Sequence, residues 1–363
     1  MILSHIKKLD WVLLGSATFL VSLGLLSLYS SSLGRADFGQ FQKQLVFFGI
    51  GVFAMLVVSL VDWRILRNNS FLILTLYGVG IAALAGLLVF APEVRGVQRW
   101  YRIGGLAIHP LEFVKIILIV LAAKYFSMRH VEMYRIQHIL ISGLYFGVPA
   151  FLVFLQPDLG SSLLILFMWV SILLVAGISW RHFFALALVA ALVFSVGWNV
   201  FLHDYQKDRL IGFVAPELDP LGMGWSQTQA RIAVGNGGLL GQGIGQGTQT
   251  QYGFLSEPQT DFIFSAIAEE FGLLGVLSLF IGFGVFLWRV LHIGLDVGGN
   301  FARLFAVGFA TLFIVHIGIN GGMNLGFLPI IGLPLPLVSY GGSSLVMSFV
   351  GIGILQSMKT KQS

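Results

Sequence analysis

The sequence SEPQTDFIFSAIAEEFG, residues 256–272, places a carboxylate where a polar loop ends and an apolar helix begins. Ser256 is suited to be the helix N-cap, with Gln259 completing a capping box and Pro258 lying in the first turn. Asp261 would then lie near the positive end of the helix dipole, which favours an ionised carboxylate. A membrane protein can hold an ionisable group there without the full cost of burial. We therefore expect the rest of the chain to be organised around Asp261.

The composition is that of a polytopic membrane protein. Of the 363 residues, 57% are hydrophobic and 10% are charged, and the mean hydropathy is +0.90, whereas soluble domains carry about 25% charged residues. The chain contains no cysteine, which excludes disulfides, thiolate metal sites and a cysteine nucleophile. The net charge of +5 does not indicate nucleic-acid binding, because basic residues in such proteins usually mark cytoplasmic loops.

Apolar runs long enough to cross about 30 Å of hydrocarbon recur along the chain. They predict an all-α single membrane domain over residues 1–363, with ten transmembrane helices and both termini on one side. The short connections on that side are consistently basic, so the positive-inside rule makes it cytoplasmic. The apolar initial run lacks a signal-peptide cleavage site and is predicted to be the first span. The ten runs are 11–29, 45–61, 71–90, 111–126, 139–155, 161–177, 183–202, 262–287, 304–322 and 343–355.

Two external connections have unusual sequences. The segment 203–260, between the seventh and eighth helices, is the only long loop, and its Gly- and Gln-rich part (GNGGLLGQGIGQGTQTQYG, 235–253) is either low-complexity or a tight backbone close to substrate. It is not a P-loop, because no GK[ST] follows. The segment 324–344 (NLGFLPIIGLPLPLVSYGGSS), between the ninth and tenth helices, combines Pro and Gly in apolar surroundings. This pattern predicts a re-entrant or packed loop that forms the wall of a pocket.

Three arginines, Arg95, Arg99 and Arg102, lie beside two aromatic residues in RGVQRWYRIGGLAIHPLEFVK, residues 95–115. They are compatible with an interfacial anchor belt. The positive-inside rule, however, gives no reason for arginines on the external face. A lipid-linked phosphate or pyrophosphate does, because guanidinium groups match phosphate oxygens.

Charged residues also occur inside or beside the predicted spans. Glu112 and Lys115 are three residues apart and share a helical face; each alone would cost about 3 kcal/mol in the bilayer. They form either a structural ion pair or the lining of a polar cavity. Asp158, in LQPDLGSS, either caps the next helix or adds a second carboxylate to the external site. His316 and Asn320 are expected to form interhelical hydrogen bonds.

Four sequence blocks carry a family resemblance that extends over nearly the whole chain. They are RWYRIGGLAIHPLEFVK, QPDLGSS, the long block from TQARIAVGNGG to SAIAEEFG, and GINGGMNLGFLPIIGLPLPLVSYGGSS. Because these blocks occur in this order and at this spacing, the chain resembles the SEDS family (shape, elongation, division and sporulation), and most closely its RodA branch. Departures from the family pattern are Ser256 in place of a common Pro, and His109 and Leu111 in place of the Gln and Ser of QPSE.

The resemblance implies a glycosyltransferase that polymerises lipid II outside the bacterial cytoplasmic membrane, usually paired with a class B penicillin-binding transpeptidase. The family's essential aspartate falls on Asp261, its Glu and Lys pair on Glu112 and Lys115, and its QPD aspartate on Asp158. Glycan extension needs a base for the attacking sugar hydroxyl and positive charge for the departing pyrophosphate. Asp261 is the candidate base, and the candidate pyrophosphate-binding residues are Arg99, Arg102 and Arg209.

Cofactor and alternative functions remain open from the sequence. No dense carboxylate or histidine cluster marks a metal site, so a divalent cation, Mg or Mn, would be shared with the substrate pyrophosphate; no organic cofactor is expected. A flippase that moves the lipid-linked precursor would explain the ten spans equally well. It accounts less well for carboxylates on one side only, because alternating access usually needs polar residues along the whole path. A scaffold without activity leaves the charged residues in the membrane without a purpose.

Overall fold

The computed structural model describes residues 2–92, 99–104, 106–128, 136–200, 213 and 223–361. Its elements include a short antiparallel hairpin that the sequence did not predict, formed by β1 (Tyr101–Ile103) and β2 (Leu106–Ile108). The helices within these ranges are, in chain order, α1 (Ile2–Lys8), α2 (Trp11–Arg35), α3 (Gly39–Leu60), α4 (Arg64–Asn68), α5 (Ser70–Phe90), α6 (Pro110–Ser127), α7 (Ile136–Leu155), α8 (Leu159–Ala176), α9 (Trp180–Val200), α10 (Met223–Asn236), α11 (Thr248–Gln251), α12 (Ile263–Asp296), α13 (Asn300–Leu325) and α14 (Gly342–Thr360).

Each of the ten predicted spans coincides with a helix. In the described part of the chain seven helices are long and apolar enough to cross a membrane, namely α2, α3, α5, α7, α8, α12 and α13. The other three predicted spans fall on α6, α9 and α14. Helix α6 carries three charged residues, but almost all of its positions are buried in the bundle. The chain is therefore an all-α, multi-pass membrane protein.

The centre of the bundle is built from aromatic side chains and close helix contacts. Phe286 of α12 packs against Phe313 of α13 with ring centroids 4.7 Å apart, and Phe309 lies 5.1 Å from Phe313. Helix α14 lies against α3 so closely that a Cβ on Gly353 would be 2.8 Å from the Met55 carbonyl oxygen. Small residues permit such contacts in membranes, where apolar burial does not drive helices together.

The two ends of the chain meet. The backbone N–H of Asp10 donates to Gln356 Oε1 (2.7 Å), and Gln356 Nε2 donates to the Asp10 carbonyl (3.0 Å). The Asp10 carboxylate pairs with Arg289 of α12 (2.6 Å) and with Lys359 of α14 (2.7 Å). The first long helix and the last helix therefore begin and end on the same side, as predicted.

The predicted capping box before α12 is wrong. The helix begins at Ile263, and its N-cap, Phe262, makes no side-chain cap hydrogen bond. Gln259 instead points at Ser32 of α2, with Nε2 3.5 Å from its Oγ. The backbone before the helix is held by the loop between α13 and α14: Tyr340 N–H donates to the Gln259 carbonyl (2.8 Å) and Ser339 Oγ–H donates to the Thr260 carbonyl (2.7 Å). Tertiary hydrogen bonds thus replace the local cap.

Helix α12 is interrupted at Gly272, whose φ of 63° and ψ of −159° are not helical. Such a break leaves helix carbonyls and N–H groups without partners, which is costly in a membrane. The glycine-rich segment 237–247 supplies them. The N–H groups of Gln242 and Gly243 donate to the carbonyls of Glu269 (2.9 Å) and Glu270 (3.0 Å), and further bonds join Leu273 and Leu274 to Gly238 and Leu239.

The glycine-rich segment therefore has a tight backbone, as one of the two interpretations predicted, but it lies close to α12 and not to the predicted pocket. A Cβ on Gly237 would lie 1.9 Å from the Ala268 carbonyl oxygen, and one on Gly241 would lie 2.1 Å from that of Glu270. The surface that this backbone follows is α12. Part of the predicted long loop, 203–260, is ordered in this way, since α10, α11 and the segment 237–260 belong to it. Residues 203–212 and 214–222 lie outside the described residues.

Glu269 and Glu270 lie side by side on α12 and are both buried. Glu269 is fully buried and accepts hydrogen bonds from the backbone N–H groups of Gln249 (2.7 Å) and Thr250 (3.0 Å). Glu270 accepts from Ser30 Oγ of α2 (2.6 Å) and from Gln251 Nε2 (3.0 Å). The two carboxylates fasten α11 and its neighbours to α12.

Candidate functional site

A cavity of about 550 Å³ lies between the hairpin, the start of α6, the start of α12 and the loop between α13 and α14. The predicted pocket wall, segment 324–344, contributes much of its lining. Five predicted site residues line the same cavity: Arg99, Arg102, Glu112, Lys115 and Asp261. The chain therefore brings together residues that are up to 162 positions apart in the sequence, as 261 − 99 = 162.

Asp261 is partly buried at the turn that precedes α12. Its backbone carbonyl accepts hydrogen bonds from Asn320 Nδ2 (3.1 Å) and Asn324 Nδ2 (3.0 Å), which are one turn apart on α13. Gly332, at φ +69°, passes the carboxylate so closely that a Cβ there would lie 3.6 Å from Asp261 Oδ2. The backbone at Asp261 is therefore held by α13, and its carboxylate lies beside the Pro/Gly-rich loop. Asn320 Nδ2 also donates to the Leu333 carbonyl in that loop (2.9 Å), so the described hydrogen bonds that it donates go to a turn and a loop and not, as had been expected, to another helix.

Glu112 and Lys115 form a buried ion pair inside the cavity lining, with Lys115 Nζ 2.8 Å from both carboxylate oxygens. The ammonium also lies 3.5 Å from His316 Nε2, and His316 Nδ1 lies 2.8 Å from the Pro334 carbonyl oxygen. His109 Nδ1 approaches Glu112 Oε1 at 3.6 Å. The two readings of the pair are thus both correct, because the ion pair is structural in geometry and is also part of the cavity wall.

Arg99 connects the cavity to Asp158. Its Nε lies 2.9 Å from Asp158 Oδ2, and the Arg99 side chain is 15% exposed. The other Asp158 oxygen, Oδ1, accepts from the Ser161 N–H (3.1 Å), so this aspartate also caps α8. Asp158 does not line the cavity itself. It holds the arginine that does, which makes it a positioning residue.

The hairpin carries Arg102 and is held by Tyr101. The phenol O–H of Tyr101 donates to the Ala83 carbonyl of α5 (2.8 Å), and burial raises its pKa, so it stays a donor at neutral pH. Arg102 is exposed at the cavity edge. At the other end of the hairpin, the His109 N–H donates to Ser343 Oγ (3.1 Å). The hairpin that carries Arg102 is therefore held at both ends beside the cavity.

Four acidic, basic or histidine residues of the cavity lining were not among the predicted site residues: Lys43, His109, Glu257 and His316. Lys43 had the same signal as the arginines, since it is a basic residue near the external end of a span. His316 was considered mainly as an interhelical hydrogen-bonding group, with a ligand role as the lesser alternative. Glu257 precedes Asp261 by one turn and could have been proposed from that spacing. Arg95 and Arg209 lie outside the described residues.

The lining combines four basic residues with three carboxylates, Glu112, Glu257 and Asp261. Lys115 pairs with Glu112, and the other charged lining residues are basic near the hairpin and acidic near the start of α12. This arrangement can hold an anionic leaving group at one end and a proton acceptor at the other. In the described part of the chain no three or more His, Asp or Glu side chains form a metal cluster.

Comparisons with known proteins identify the family of this chain. A family model described as "Cell cycle protein", FTSW_RODA_SPOVE, matches residues 8–363. The peptidoglycan glycosyltransferase MrdB of Escherichia coli K12 is 36% identical over 361 residues, which cover 98% of this chain and 96% of MrdB. The stage V sporulation protein E of Bacillus subtilis is 34% identical over 357 residues, covering 95% of each chain.

Two solved structures share the fold. One, from a study of how a peptidoglycan synthase complex coordinates polymerization and crosslinking, superimposes with a TM-score of 0.83 and 31% identity and covers 98% of both chains. The other is the rod shape determining protein RodA of Thermus thermophilus, with a TM-score of 0.72, 28% identity and coverage of 97% of this chain and 96% of RodA. The chain belongs to the FtsW/RodA/SpoVE family.

Proposed function

We propose that this chain is a peptidoglycan glycosyltransferase that polymerises lipid II in the 550 Å³ cavity, with Asp261 as general base. One observation gives the strongest support for this site. Asp261, Lys115, Arg99 and Arg102 line one cavity, so that a carboxylate and three cations face the same space. A polymerase of lipid-linked sugars needs these two kinds of group together.

The charged side chains of the cavity suggest how the reaction proceeds. A sugar hydroxyl of one glycan attacks the anomeric carbon of the next, and its proton passes to the Asp261 carboxylate. The new glycosidic C–O bond forms as the bond between the anomeric carbon and the pyrophosphate oxygen breaks, and the lipid pyrophosphate departs with the electron pair. Arg99 and Arg102 stabilise the negative charge on this leaving group, because guanidinium groups bind phosphate oxygens in bidentate geometry.

The surroundings keep these groups in position. Asn320 and Asn324 hold the Asp261 backbone, and Asp158 holds Arg99. Preorganised charges of this kind need not reorganise during the reaction, which is the main source of electrostatic catalysis. Glu112 and Lys115 set the electrostatic potential between the basic and the acidic ends of the cavity. Lys115 also belongs to the lining that a phosphate would contact.

A divalent cation, Mg or Mn, is compatible with the lining. Mg²⁺ is often held by one or two carboxylates together with substrate phosphates, and Asp261 and Glu257 line the same cavity. When bound, such a cation would neutralise pyrophosphate charge. The substrate would then supply the remaining oxygen ligands.

A flippase needs a polar path through the bundle, and the floor of the cavity does not provide one along α6. Between Lys115 and Lys124 the helix reads IILIVLAA, and every one of these side chains is buried. On α13 the stretch below His316 contains the buried residues Phe305, Phe309 and Phe313. These apolar layers favour a site that opens to one side, which suits a polymerase better than a transporter.

The cellular setting follows from the family. We place the chain in the bacterial inner membrane, with cytoplasmic termini and the cavity on the external face, where lipid II is consumed. Its partner is a crosslinking transpeptidase of the class B penicillin-binding type. Support comes from the related structure, which concerns a complex that couples polymerization and crosslinking. Co-purification with and without the transpeptidase, followed by a polymerisation assay, measures whether the partner is needed.

Reconstitution in liposomes separates the proposed function from its competitor. The purified chain is given fluorescent lipid II, and both the glycan products and the movement of lipid between leaflets are followed. We expect glycan strands, and we expect their loss in Asp261→Asn while the thermal unfolding curve is unchanged. Transfer of lipid II between leaflets without any polymer would overturn the proposal in favour of a flippase.

A further inference from the structure

A second cavity, of about 390 Å³, lies at the opposite end of α6 from the Asp261 cavity. It is bounded by the segment that joins α3 to α5, by the end of α6 and by the start of α13. Lys115 and Lys124 are nine residues apart on α6, which separates them by about 14 Å along the helix axis. The second cavity is therefore distinct from the proposed polymerisation site.

Lys124 lines this cavity with an unpartnered charge. The residue is 9% exposed, and its Nζ is buried without a hydrogen-bond partner in the described residues. A buried ammonium without a partner is costly in a membrane protein. Intramembrane lysines are normally paired or functional, so this one calls for an anionic group that enters the cavity.

Trp63 adds a second unpartnered donor. This residue is 6% exposed and lines the cavity, and its indole Nε1 has no hydrogen-bond partner in the part of the chain described. Its ring stacks on Phe301 with centroids 5.6 Å apart and planes 21° apart, which fixes the ring. The Arg67 guanidinium lies 5.4 Å from the Trp63 ring centroid and lines the same cavity.

The start of α13 adds partial positive charge to the second cavity. Its N-cap, Gly299 at φ +84°, provides no side-chain cap, and the first turn contains no acidic residue. The first N–H groups of a helix carry partial positive charge and bind anions. Asn300 and Phe301, the first residues of this 26-residue helix, line the cavity, and no Asp or Glu is among its described lining residues.

We propose that this second cavity binds a phosphate group. Lys124 supplies the charge, and Trp63 Nε1, Arg67 and the first turn of α13 supply donors. The same chemistry fits the phosphodiester headgroup of an anionic phospholipid and a free phosphorylated compound. The positive-inside topology would place the cavity at the cytoplasmic leaflet, where anionic lipids attract basic pockets between helices. The inference does not depend on the polymerase activity.

The test uses the full-length chain, purified in detergent and stripped of lipid, with thermal unfolding as the readout. Short-chain phosphatidylglycerol, short-chain phosphatidylcholine and inorganic phosphate are titrated separately, since a ligand of the folded state raises the Tm with concentration. The variants are Lys124→Met and Arg67→Gln, with Lys8→Met as the matched control, because Lys8 is an exposed lysine near the same face. Arg67 is exposed, so its substitution leaves the packing intact.

We expect the apparent affinity for the anionic ligand to fall at least tenfold in Lys124→Met, by a smaller factor in Arg67→Gln, and not at all in Lys8→Met. In the absence of ligand, Lys124→Met should unfold at the same or a higher temperature than the wild type, because it removes an unpaired buried charge.

The two sources of phosphate are then distinguished. A response to phosphatidylglycerol alone identifies a lipid headgroup, and an equal response to inorganic phosphate identifies a soluble ligand; each supports the proposal if it depends on Lys124. A response that is the same in Lys124→Met and wild type, or no response to either anion, would overturn it. So would a Lys124→Met variant that is markedly less stable than wild type without ligand, because that result would assign Lys124 a structural partner.

Discussion

Replacing Glu269 by Gln should loosen the glycine-rich segment that holds α12 at its break. The fully buried Glu269 carboxylate accepts four hydrogen bonds, from the backbone N–H groups of Gln249 and Thr250 and from the hydroxyls of Thr248 (3.3 Å) and Thr250 (2.7 Å). A Gln side chain keeps one accepting oxygen and turns an NH₂ group towards the remaining donors. Two lost hydrogen bonds to a charged acceptor, at about 1.5 kcal/mol each, cost about 3 kcal/mol.

Hydrogen exchange measures this loss locally. A cost of about 3 kcal/mol in local opening corresponds to about 100-fold faster exchange of the amides in residues 242–252. The matched control is Glu270→Gln. Glu270 accepts the bonds from Ser30 Oγ and Gln251 Nε2 at the same oxygen, Oε1, and its Oε2 has no hydrogen-bond partner in the described residues. A Gln there can keep both bonds, so exchange should change by less than about tenfold.

Equal exchange rates in Glu269→Gln and wild type would refute the reasoning, because the carboxylate would then not be what holds α11. The same conclusion would follow if both variants accelerated exchange equally. In that case the loss of negative charge, and not the number of hydrogen bonds, would control the segment.

The remaining predictions concern two ion pairs. Burial alone would raise the pKa of Asp10, but hydrogen bonds from Arg289 and Lys359 lower it to about 2. Asp10→Asn should therefore lower the free energy of unfolding by about 3 kcal/mol at pH 7. Because the folded-state pKa is depressed, this contribution to stability is present above about pH 4 and is lost towards pH 2. The Tm difference between wild type and Asp10→Asn should therefore shrink as the pH falls over that range. A Tm difference that stays constant would contradict the prediction. Lys115→Met leaves Glu112 buried and unpaired and should also cost about 3 kcal/mol, measured by thermal unfolding. Adding Glu112→Gln should restore most of the stability but not lipid II polymerisation, whereas recovery of both would show that the pair is only structural.

The sequence predicted the architecture well because transmembrane helices are defined by length and hydropathy. Runs such as 71–90 and 304–322 lie within α5 and α13. A span that contains charged residues could also be predicted. Helix α6 carries Glu112, Lys115 and Lys124 and was still predicted as a span, because an apolar stretch separates its charges.

Features that depend on contacts between distant segments were not predictable. The start of α12 is set by hydrogen bonds from Ser339 and Tyr340, about 80 residues later in the chain, so the local capping signal at Ser256 misled. The hairpin at 101–108 was missed for another reason, because its short runs YRI and LAI around a Gly-Gly pair are a local hairpin signal that was overlooked. The break at Gly272 and the fit of the glycine-rich segment to it are one tertiary feature that neither segment indicates alone.

The candidate site was predicted at the level of residue identity but not of geometry. Asp261, Glu112, Lys115, Arg99 and Arg102 were selected from the sequence, and all five line one cavity. Spacing could not show that Asp158 binds Arg99 while capping α8. It also could not show that His316 approaches Lys115, because the two lie 201 residues apart on different helices.

The most direct test of the central claim compares two carboxylates of the same cavity in one polymerisation assay. Purified wild type, Asp261→Asn and Glu257→Gln are given lipid II, and the initial rate of glycan formation is measured at matched amounts of folded protein. General-base catalysis contributes about 10²- to 10⁴-fold, so Asp261→Asn should lose at least about 100-fold and Glu257→Gln less than about tenfold. An Asp261→Asn variant that polymerises lipid II at the wild-type rate would contradict the account.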